Sequence, residues 1–438
     1  MLCLTASPKG RSGKAKNNKG KHHMLDVLII GAGASGCFTA LRLKEEDPSL
    51  TIAILERQSH ALQKVKVSGG GRCNVTHDSE DVAFLLKHYP RQHKQVKGQL
   101  KAFSPNDMRQ WLKHHFVETV AEADGRVFPK SNDSQEIIEV FLSELKRYNV
   151  PIHYNESAVS AERNAGEAGE DAFEIVTQTG KIFHAKRLVL ATGSQEQGYR
   201  LAESLGLPLT PLVPSLFTFC VKDDRLHACA GVSLDAVELT LKIPHVAKPF
   251  KQNGPFLLTH WGVSGPAVLK LSARSAVELY ASKYKATLFV DALPTQTQDA
   301  TRLALLGVQA ENHKRDVKNI KPHEALPWRY WELILEQLNI PLDKKWCDVS
   351  KKELNQLVEG IHHLPLAVDG KGVFKEEFVT AGGVQSDALR LQTLEAKHHT
   401  HLYVVGELLN VDGMTGGFNF QHCWASANAV AVAISLSF

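Results

Sequence analysis

Six residues, Gly31-Ala32-Gly33-Ala34-Ser35-Gly36, constrain this chain more than any other stretch because of what flanks them. The run Asp26-Val27-Leu28-Ile29-Ile30 before them is short and apolar, as in a strand buried on both faces. A helical pattern then runs from Ser35 to about Glu46 and stops at Asp47-Pro48. Residues 51–55, Thr-Ile-Ala-Ile-Leu, predict a second strand that ends in Glu56. In that setting the glycines serve separate purposes. Gly31 makes the turn, Gly33 lets the backbone approach a pyrophosphate, and Gly36 lets helix pack on strand. Ala34 and Ser35 open the helix, whose free N–H groups and partial positive charge suit phosphates. Glu56 lies twenty residues past Gly36, where a carboxylate accepts hydrogen bonds from a ribose diol, and Arg57 lies beside it. An acid there disfavours a 2′-phosphate, so the ADP-ribose of FAD or NAD fits better than that of NADP.

Later segments choose between the two dinucleotides. Val67-Ser68-Gly69-Gly70-Gly71-Arg72-Cys73-Asn74 places three consecutive glycines soon after the second strand, where the backbone can pass close to a flat ligand. A dehydrogenase that binds only NAD has no need of such a loop. Residues 172–178 and 181–184 read as a hairpin about Thr179-Gly180, and residues 187–191 as a third buried strand ending in Thr192-Gly193. FAD-binding domains of the glutathione-reductase type close in this way, which would put Val159 near the adenine. Residues 401–405 predict a strand delivering Gly406-Glu407, and Thr415-Gly416-Gly417-Phe418-Asn419-Phe420 precede a helix running to the C-terminus. The start of that helix would face the flavin edge where negative charge appears on reduction, and its dipole would stabilise that charge. FAD is therefore the expected cofactor.

A chain of 438 residues has room for about three folding units. Hydrophobic residues at 43% and charged residues at 22% are globular values, which excludes a disordered or fibrous chain. The net charge of +4 arises in residues 1–23, where Lys9, Arg11, Lys14, Lys16, Lys19 and Lys21 stand without an acid; the remainder carries −2. That tail lacks the apolar residues to order itself, and a slightly acidic remainder does not favour nucleic acid as a partner. Residues 1–6 are too short for a secretory signal, and Met24, directly before the first strand, is an alternative start. Seven cysteines form no CxxC and no zinc spacing, pointing to a reducing, cytoplasmic setting. His398, His399 and His401 lack a cysteine or carboxylate at ligand spacing, so no metal is expected. No apolar run of about 18 residues suggests a membrane span, and residues 423–438 read as a buried terminal helix.

From Met24 onward the chain resembles the aminoacetone-oxidase/BaiN-like (YhiN-type) family of FAD-binding oxidoreductases. The matching stretches are GAGASG at 31–36, SGGGRCNVT at 68–76, DGRVFP at 124–129, ATG at 191–193, THWGVSGPAVL at 259–269, EEFVTAGGV at 376–384, which contains Gly383, and GELLNVDGMTGGFNFQ at 406–421. The resemblance implies an α/β fold: a glutathione-reductase-type Rossmann FAD-binding domain built from both chain ends, with an inserted β-barrel-like part and a small helical part. The expected division is a disordered basic tail at 1–23, FAD-binding domain at 24–208, β-rich insert at 209–322, helical insert at 323–363 and FAD-binding domain again at 364–438. Alternating patterns at 237–243 and 286–290 suit the insert, and Trp328, Trp331, Ile334 and Leu335 share a helical face suited to a core. Two positions depart from the family pattern: Ser194 where a second glycine is usual, and Ala427-Asn428 where smaller residues stand. The first concerns a loop beside the flavin, the second a helix contact.

The resemblance implies hydride transfer through the flavin on a small organic substrate. Amine oxidation with oxygen as acceptor and reduction of conjugated double bonds in steroid-like substrates both occur among relatives, and the sequence leaves them open. Cys73 is a weak candidate catalyst; no second cysteine lies near it, which excludes a dithiol relay, and a packing role is the alternative. His260, before Trp261 and the Ser264-Gly265-Pro266 helix start, would serve as general acid or as a structural residue. No second GxGxxG is present, so electrons come from the substrate or from NAD(P)H as a transient donor in the same cleft. An RNA-associated flavoprotein and a flavin-binding protein without turnover are the alternatives. Oligomeric state is not legible.

Overall fold

The computed structural model describes residues 24–164, 172–372 and 379–437, so the expected basic tail lies outside the described residues. The first strand, Leu25–Ile30, pairs in parallel with Ile52–Leu55 on one side and with Ile182–Leu190 on the other. Ile152–His153 adds outside Ile52–Leu55, and Leu402–Val404, from the far end of the chain, adds in parallel to Ile182–Leu190. Val27 through Ile30 are buried, as a strand covered on both faces requires. The early part of Ile182–Leu190 turns back on Ala172–Thr177, which pairs with Ala158–Asn164 in an antiparallel meander. Helix Ala34–Glu46 packs lengthwise on helix Phe418–Ser435, so both chain ends enter one core. Phe38 meets Trp424 edge-on at 5.5 Å there, and Arg42 Nε donates to Asn428 Oδ1 at 3.0 Å.

A second core belongs to the insert. Six strands close a barrel in the order Phe219–Val221, Gly262–Ser264, Phe250–Thr259, Ser233–Lys242, Lys285–Asp291 and Leu364–Lys371. Helices Gln298–Glu311, Trp328–Gln337 and Lys351–His362 accompany it. Two expected boundaries are corrected. Leu364, Leu366 and Val368 face the barrel core, so the return to the nucleotide-binding domain falls after Lys371 and not at 364. The helical part opens at Gln298 and not at 323. Trp331, Ile334 and Leu335 are core residues, but Trp328, at the first helical position, is 49% exposed beneath the Lys321 ammonium. The two domains are joined by an antiparallel ribbon of Leu209–Ser215 with Val379–Val384. Among the described residues no helix is long and apolar enough to cross a membrane, and no group of three His, Cys, Asp or Glu could hold a metal.

Candidate functional site

The first glycine loop divides its labour in space. A Cβ at Gly31, where φ is +109°, would lie 2.4 Å from Ala191 O, and one at Gly36 would lie 2.0 Å from Gly31 O. These two glycines let turn, strand and helix interlock. A Cβ at Gly33 would meet nothing within 4 Å, so the room above it is unused by the protein. Helix Ala34–Glu46 begins there with no side-chain cap and no acid in its first turn, which leaves N–H groups for a ligand. Glu56 is buried; its Oε2 accepts from Ala32 N–H at 2.8 Å and its Oε1 from Gln58 N–H at 2.8 Å. The carboxylate therefore braces the glycine loop, and each oxygen keeps a further lone pair.

The two chain ends meet at the carboxyl ends of the parallel strands, where open α/β sheets bind their ligands. Thr192, Gly193 and Ser194 follow Ile182–Leu190, while Leu402–Val404 delivers Gly406 and Glu407. A Cβ at Gly406 would lie 2.4 Å from Ser35 Oγ, and the Gly406 N–H donates to Ser426 Oγ at 3.0 Å. The Glu407 carboxylate pairs with the Lys64 ammonium and accepts the Thr380 N–H at 3.2 Å. Lys64 also donates to Ser194 Oγ at 2.8 Å, and Arg57 donates to Gln195 Oε1 at 2.5 Å. Thr192 Oγ1 is buried with no partner. Val159 is exposed on the meander strand Ala158–Asn164.

A second wall is built from the triple-glycine loop and the start of the C-terminal helix. Gly69, Gly70 and Gly71 take φ of +58°, +69° and +86°, and Cβ atoms at Gly70 and Gly71 would meet nothing. Ser68 Oγ donates to Val65 O at 2.8 Å, holding the bend. Gly417 has φ +90°, and a Cβ there would lie 2.2 Å from Thr76 O. With its amide oxygen turned to the donor, Asn74 accepts the Gly417 N–H at 3.0 Å and donates to Thr76 O at 3.1 Å. Helix Phe418–Ser435 then starts with no side-chain cap and no acid in its first turn. Loop and helix start thus arrive side by side from residues more than 300 positions apart.

Several expected contacts are used within the protein instead. Cys73 is fully buried, and burial pushes its thiol up to about 12, which removes the thiolate that a catalytic role needs. The Phe418 ring packs against His77, at 4.7 Å, and His88, at 4.2 Å, and the two imidazoles lie 6.1 Å from each other, so the three rings form a compact cluster. Asn419 accepts from Gly413 N–H at 2.8 Å and donates to Gly413 O at 2.9 Å, closing the preceding turn. A Cβ at Gly383 would lie 2.5 Å from Leu408 O, so glycine is needed there for packing. Arg72 lies 3.9 Å over the Phe128 ring and pairs with Glu122 at 2.7 Å. His260 is exposed, in the barrel turn between Phe250–Thr259 and Gly262–Ser264. Sequence reasoning missed Lys64, His77 and His88. His77 bonds Gly416 O through Nδ1 at 3.0 Å, and burial lowers both His77 and His88 below the ordinary imidazole range. The DGRVFP stretch was the available signal for one of them: a Cβ at Gly125 would lie 2.5 Å from His77 Nε2.

The HI0933-like protein Rossmann domain family matches residues 25–433. The chain belongs to the HI0933-like family. This HI0933-like protein is a flavin-dependent oxidoreductase with a Rossmann FAD-binding domain, as the BaiN-like resemblance implied. It is similar to a ribosomal RNA dihydrouridine synthase of Haemophilus influenzae, at 29% identity over 422 residues, covering 93% of this chain and 98% of the relative. It is also 29% identical over 412 residues to a 3-dehydro-bile acid delta(4,6)-reductase of Clostridium scindens, covering 91% and 96%. The ribosomal RNA dihydrouridine synthase of Escherichia coli is 28% identical over 430 residues, covering 93% and 97%. In fold, the HI0933-like chain is similar to a 3-ketosteroid-delta4-(5alpha)-dehydrogenase of Rhodococcus jostii, with a TM-score of 0.50, 13% identity and coverage of 95% and 99%.

Proposed function

We propose that this protein is an FAD-dependent reductase acting on a carbon–carbon double bond conjugated to a carbonyl. The observation that carries this choice is a shared reaction type. Relatives named for a bile acid and for a ribosomal nucleoside both saturate such a bond, although the molecules differ greatly in shape. In this reading the backbone of Gly31, Gly33, Ala34, Ser35 and Gly36 holds the pyrophosphate, and Glu56 holds the adenosine ribose. Arg57 and Val159 border the adenine end. Thr192, Gly193, Gly406 and Glu407 line the middle, while the backbone of residues 68–74 and of Gly416 and Gly417 flanks the ring. The empty room over Gly33 and the orphaned Thr192 hydroxyl support that fit. When bound, FAD supplies two-electron redox chemistry that no side chain can provide. The helix start after Gly417, whose own N–H is taken by Asn74, has no acid in its first turn and would offer the positive end of its dipole to the ring edge. NADH or NADPH is the proposed electron source.

The test is anaerobic reduction of purified protein with NADH, NADPH and a panel of amines, followed at the flavin absorbance band. A cyclic enone or uridine is then added to the reduced protein. Reoxidation by either double-bond substrate supports the reading. Bleaching by an amine, with oxygen alone restoring the band, would replace it with amine oxidation.

A further inference from the structure

We infer that Lys270 of the barrel domain is the group that receives the substrate's carbonyl oxygen as its charge grows during reduction. The inference rests on the proposed reaction in one respect: reduction of a conjugated double bond places negative charge on that oxygen. When a hydride adds to the β carbon, the electron pair of the double bond shifts toward the carbonyl, and the oxygen becomes an enolate oxyanion. A proton taken up from solvent at the α carbon then restores the carbonyl. The hydride, with its two electrons, comes from NADH or NADPH by way of the flavin. An ammonium beside the oxygen favours the charged stage most, because its attraction to an oxyanion exceeds that to a neutral carbonyl.

Helix Pro266–Arg274 carries Lys270 to the junction of the two domains. Ala267, Val268 and Leu271 belong to the barrel core, whereas Ala273 is buried in the nucleotide-binding core. Arg91 fastens that end by donating to Ala273 O at 3.1 Å. Lys270 stands three residues before Ala273 and so shares its side of the helix. Its Cα–Cβ bond leans toward the helix N-terminus, away from the docked end. The side chain is half-buried and lies near both His77 and His88. Both rings pack against Phe418, the first residue of the helix whose start flanks the proposed ring site. Met414 N–H donates to His88 O at 2.8 Å and Tyr89 Oη to Phe418 O at 2.8 Å, so the cluster is fixed to that helix start.

The surrounding groups leave Lys270 as the open donor. His77 Nδ1 lies 3.0 Å from Gly416 O, and His88 Nδ1 lies 3.1 Å from Phe84 O. A carbonyl oxygen only accepts, so in both rings the proton sits on Nδ1. Burial favours the neutral imidazoles, so near neutral pH each Nε2 is bare and cannot donate to a substrate oxygen. Two carboxylates lie near His77, but Asp78 is paired with Arg109, and Asp124 with Arg126 at 2.7 Å. Arg274, one turn beyond Lys270, adds a second positive charge near His88. Lys270 carries no ion pair among the described residues. A half-buried ammonium among neutral rings and a second cation lacks a negative partner, and the enolate oxygen supplies one during the reaction.

The experiment uses the FAD-loaded full chain and para-nitrophenol, whose coloured phenolate mimics the enolate oxygen. Ionisation of the bound probe is followed across a pH series by difference absorbance against protein without probe. In the parent, the bound probe should ionise about 1 to 3 pH units below the free probe, as an opposite charge at close range dictates. Lys270→Met should return that midpoint to the free value or above it, and Lys270→Arg should keep it low. Lys270→Gln repeats the test if methionine disturbs the fold, which FAD content and the urea midpoint report. A midpoint unchanged in Lys270→Met overturns the inference. So does a parent that fails to bind the probe, or that ionises it no more readily than water does. Probe binding needs no turnover, and the reaction is judged separately by reoxidation with a cyclic enone. A Lys270-dependent midpoint without reoxidation removes the proposed reaction and leaves an oxyanion site, while reoxidation without that dependence removes the role of Lys270 alone.

Discussion

Gly33→Val should remove cofactor binding and leave the fold in place, whereas Gly36→Ala should damage the fold itself. Gly33 sits at φ −82° and ψ −172°, extended backbone that a β-branched residue adopts readily, and its Cβ would touch no protein atom. Loss of a tolerable N-cap costs up to about 1 kcal/mol, and the stiffer unfolded chain returns about 0.4–1 kcal/mol. The apoprotein midpoint should therefore move by less than about 4 °C. The cofactor fares differently. Each hydrogen bond to a charged group contributes about 1.5–3 kcal/mol, so displacing a pyrophosphate from two N–H groups costs about 3–6 kcal/mol, or roughly 10²- to 10⁴-fold in Kd. At Gly36 the added carbon would sit 2.0 Å from a backbone oxygen that cannot swing away, an overpacking cost of about 1–3 kcal/mol or more in the apoprotein. Calorimetry of apoprotein and fluorescence titration with FAD separate the two effects. Parental FAD affinity in Gly33→Val protein would refute the assignment of that empty room to the pyrophosphate.

Three further outcomes are expected. His422 is 3% exposed, and burial outweighs the nearby Gly406 backbone to push its imidazole down to about 4. The unfolded chain, with a value of about 6.5, takes up the proton first, so this contribution is full above pH 6.5 and is lost as pH falls toward 4, by about 3 kcal/mol. His422→Leu should narrow the gap between urea midpoints at pH 7 and pH 4.5, and a parental gap would contradict this. Arg91→Met strands Asp412, a fully buried carboxylate, with the Ser215 hydroxyl at 2.8 Å as its remaining support. The expected loss is about 3–5 kcal/mol in denaturant unfolding, and a loss below about 1 kcal/mol would show that the pair does not hold the two chain parts of the nucleotide-binding domain together. Iodoacetamide at pH 8 should label exposed Cys347 and spare Cys73; equal rates by peptide mapping would mean that the 68–74 loop opens in solution.

Local signals were the legible ones. The glycine loop, the strands beside it and the helix at the C-terminus followed from apolar runs and from residues within a few positions. The barrel boundary was not local. Leu364–Lys371 has an alternating pattern, but its pairing with Lys285–Asp291 spans about eighty residues of intervening helices, so its place in the barrel depends on a partner the pattern does not name. At the site, motifs identified positions without saying which atom faces outward. Gly416 and Gly417 lie against the Phe418 ring and Thr76, and the adjoining Phe418 ring and Asn419 amide turn inward to His77, His88 and Gly413. Lys64 and His88 lay outside every motif, and their roles come from pairings across the chain.

The two departures from the family pattern both fall on links between separate parts of the chain, and the first reaches Glu407 of the proposed cofactor site. Ser194 provides an oxygen that accepts from Lys64, whose ammonium also holds Glu407 from the C-terminal part. A glycine there would leave Lys64 with Glu407 alone. Asn428 accepts from Arg42 Nε, tying the C-terminal helix to the first one, and Arg42 in turn pairs with Glu45 and Glu46. Both changes therefore add a polar link from the first ninety residues to a later segment. Neither touches Gly31, Gly33 or Gly36, nor the pairing of Asn74 with Gly417. The Gly33 position and the Gly417 helix start are untouched, while the joint between the halves, which includes Glu407, is refastened. Lys270, half-buried on the barrel side near both His77 and His88 and without an ion pair among the described residues, is a charged group that neither change touches.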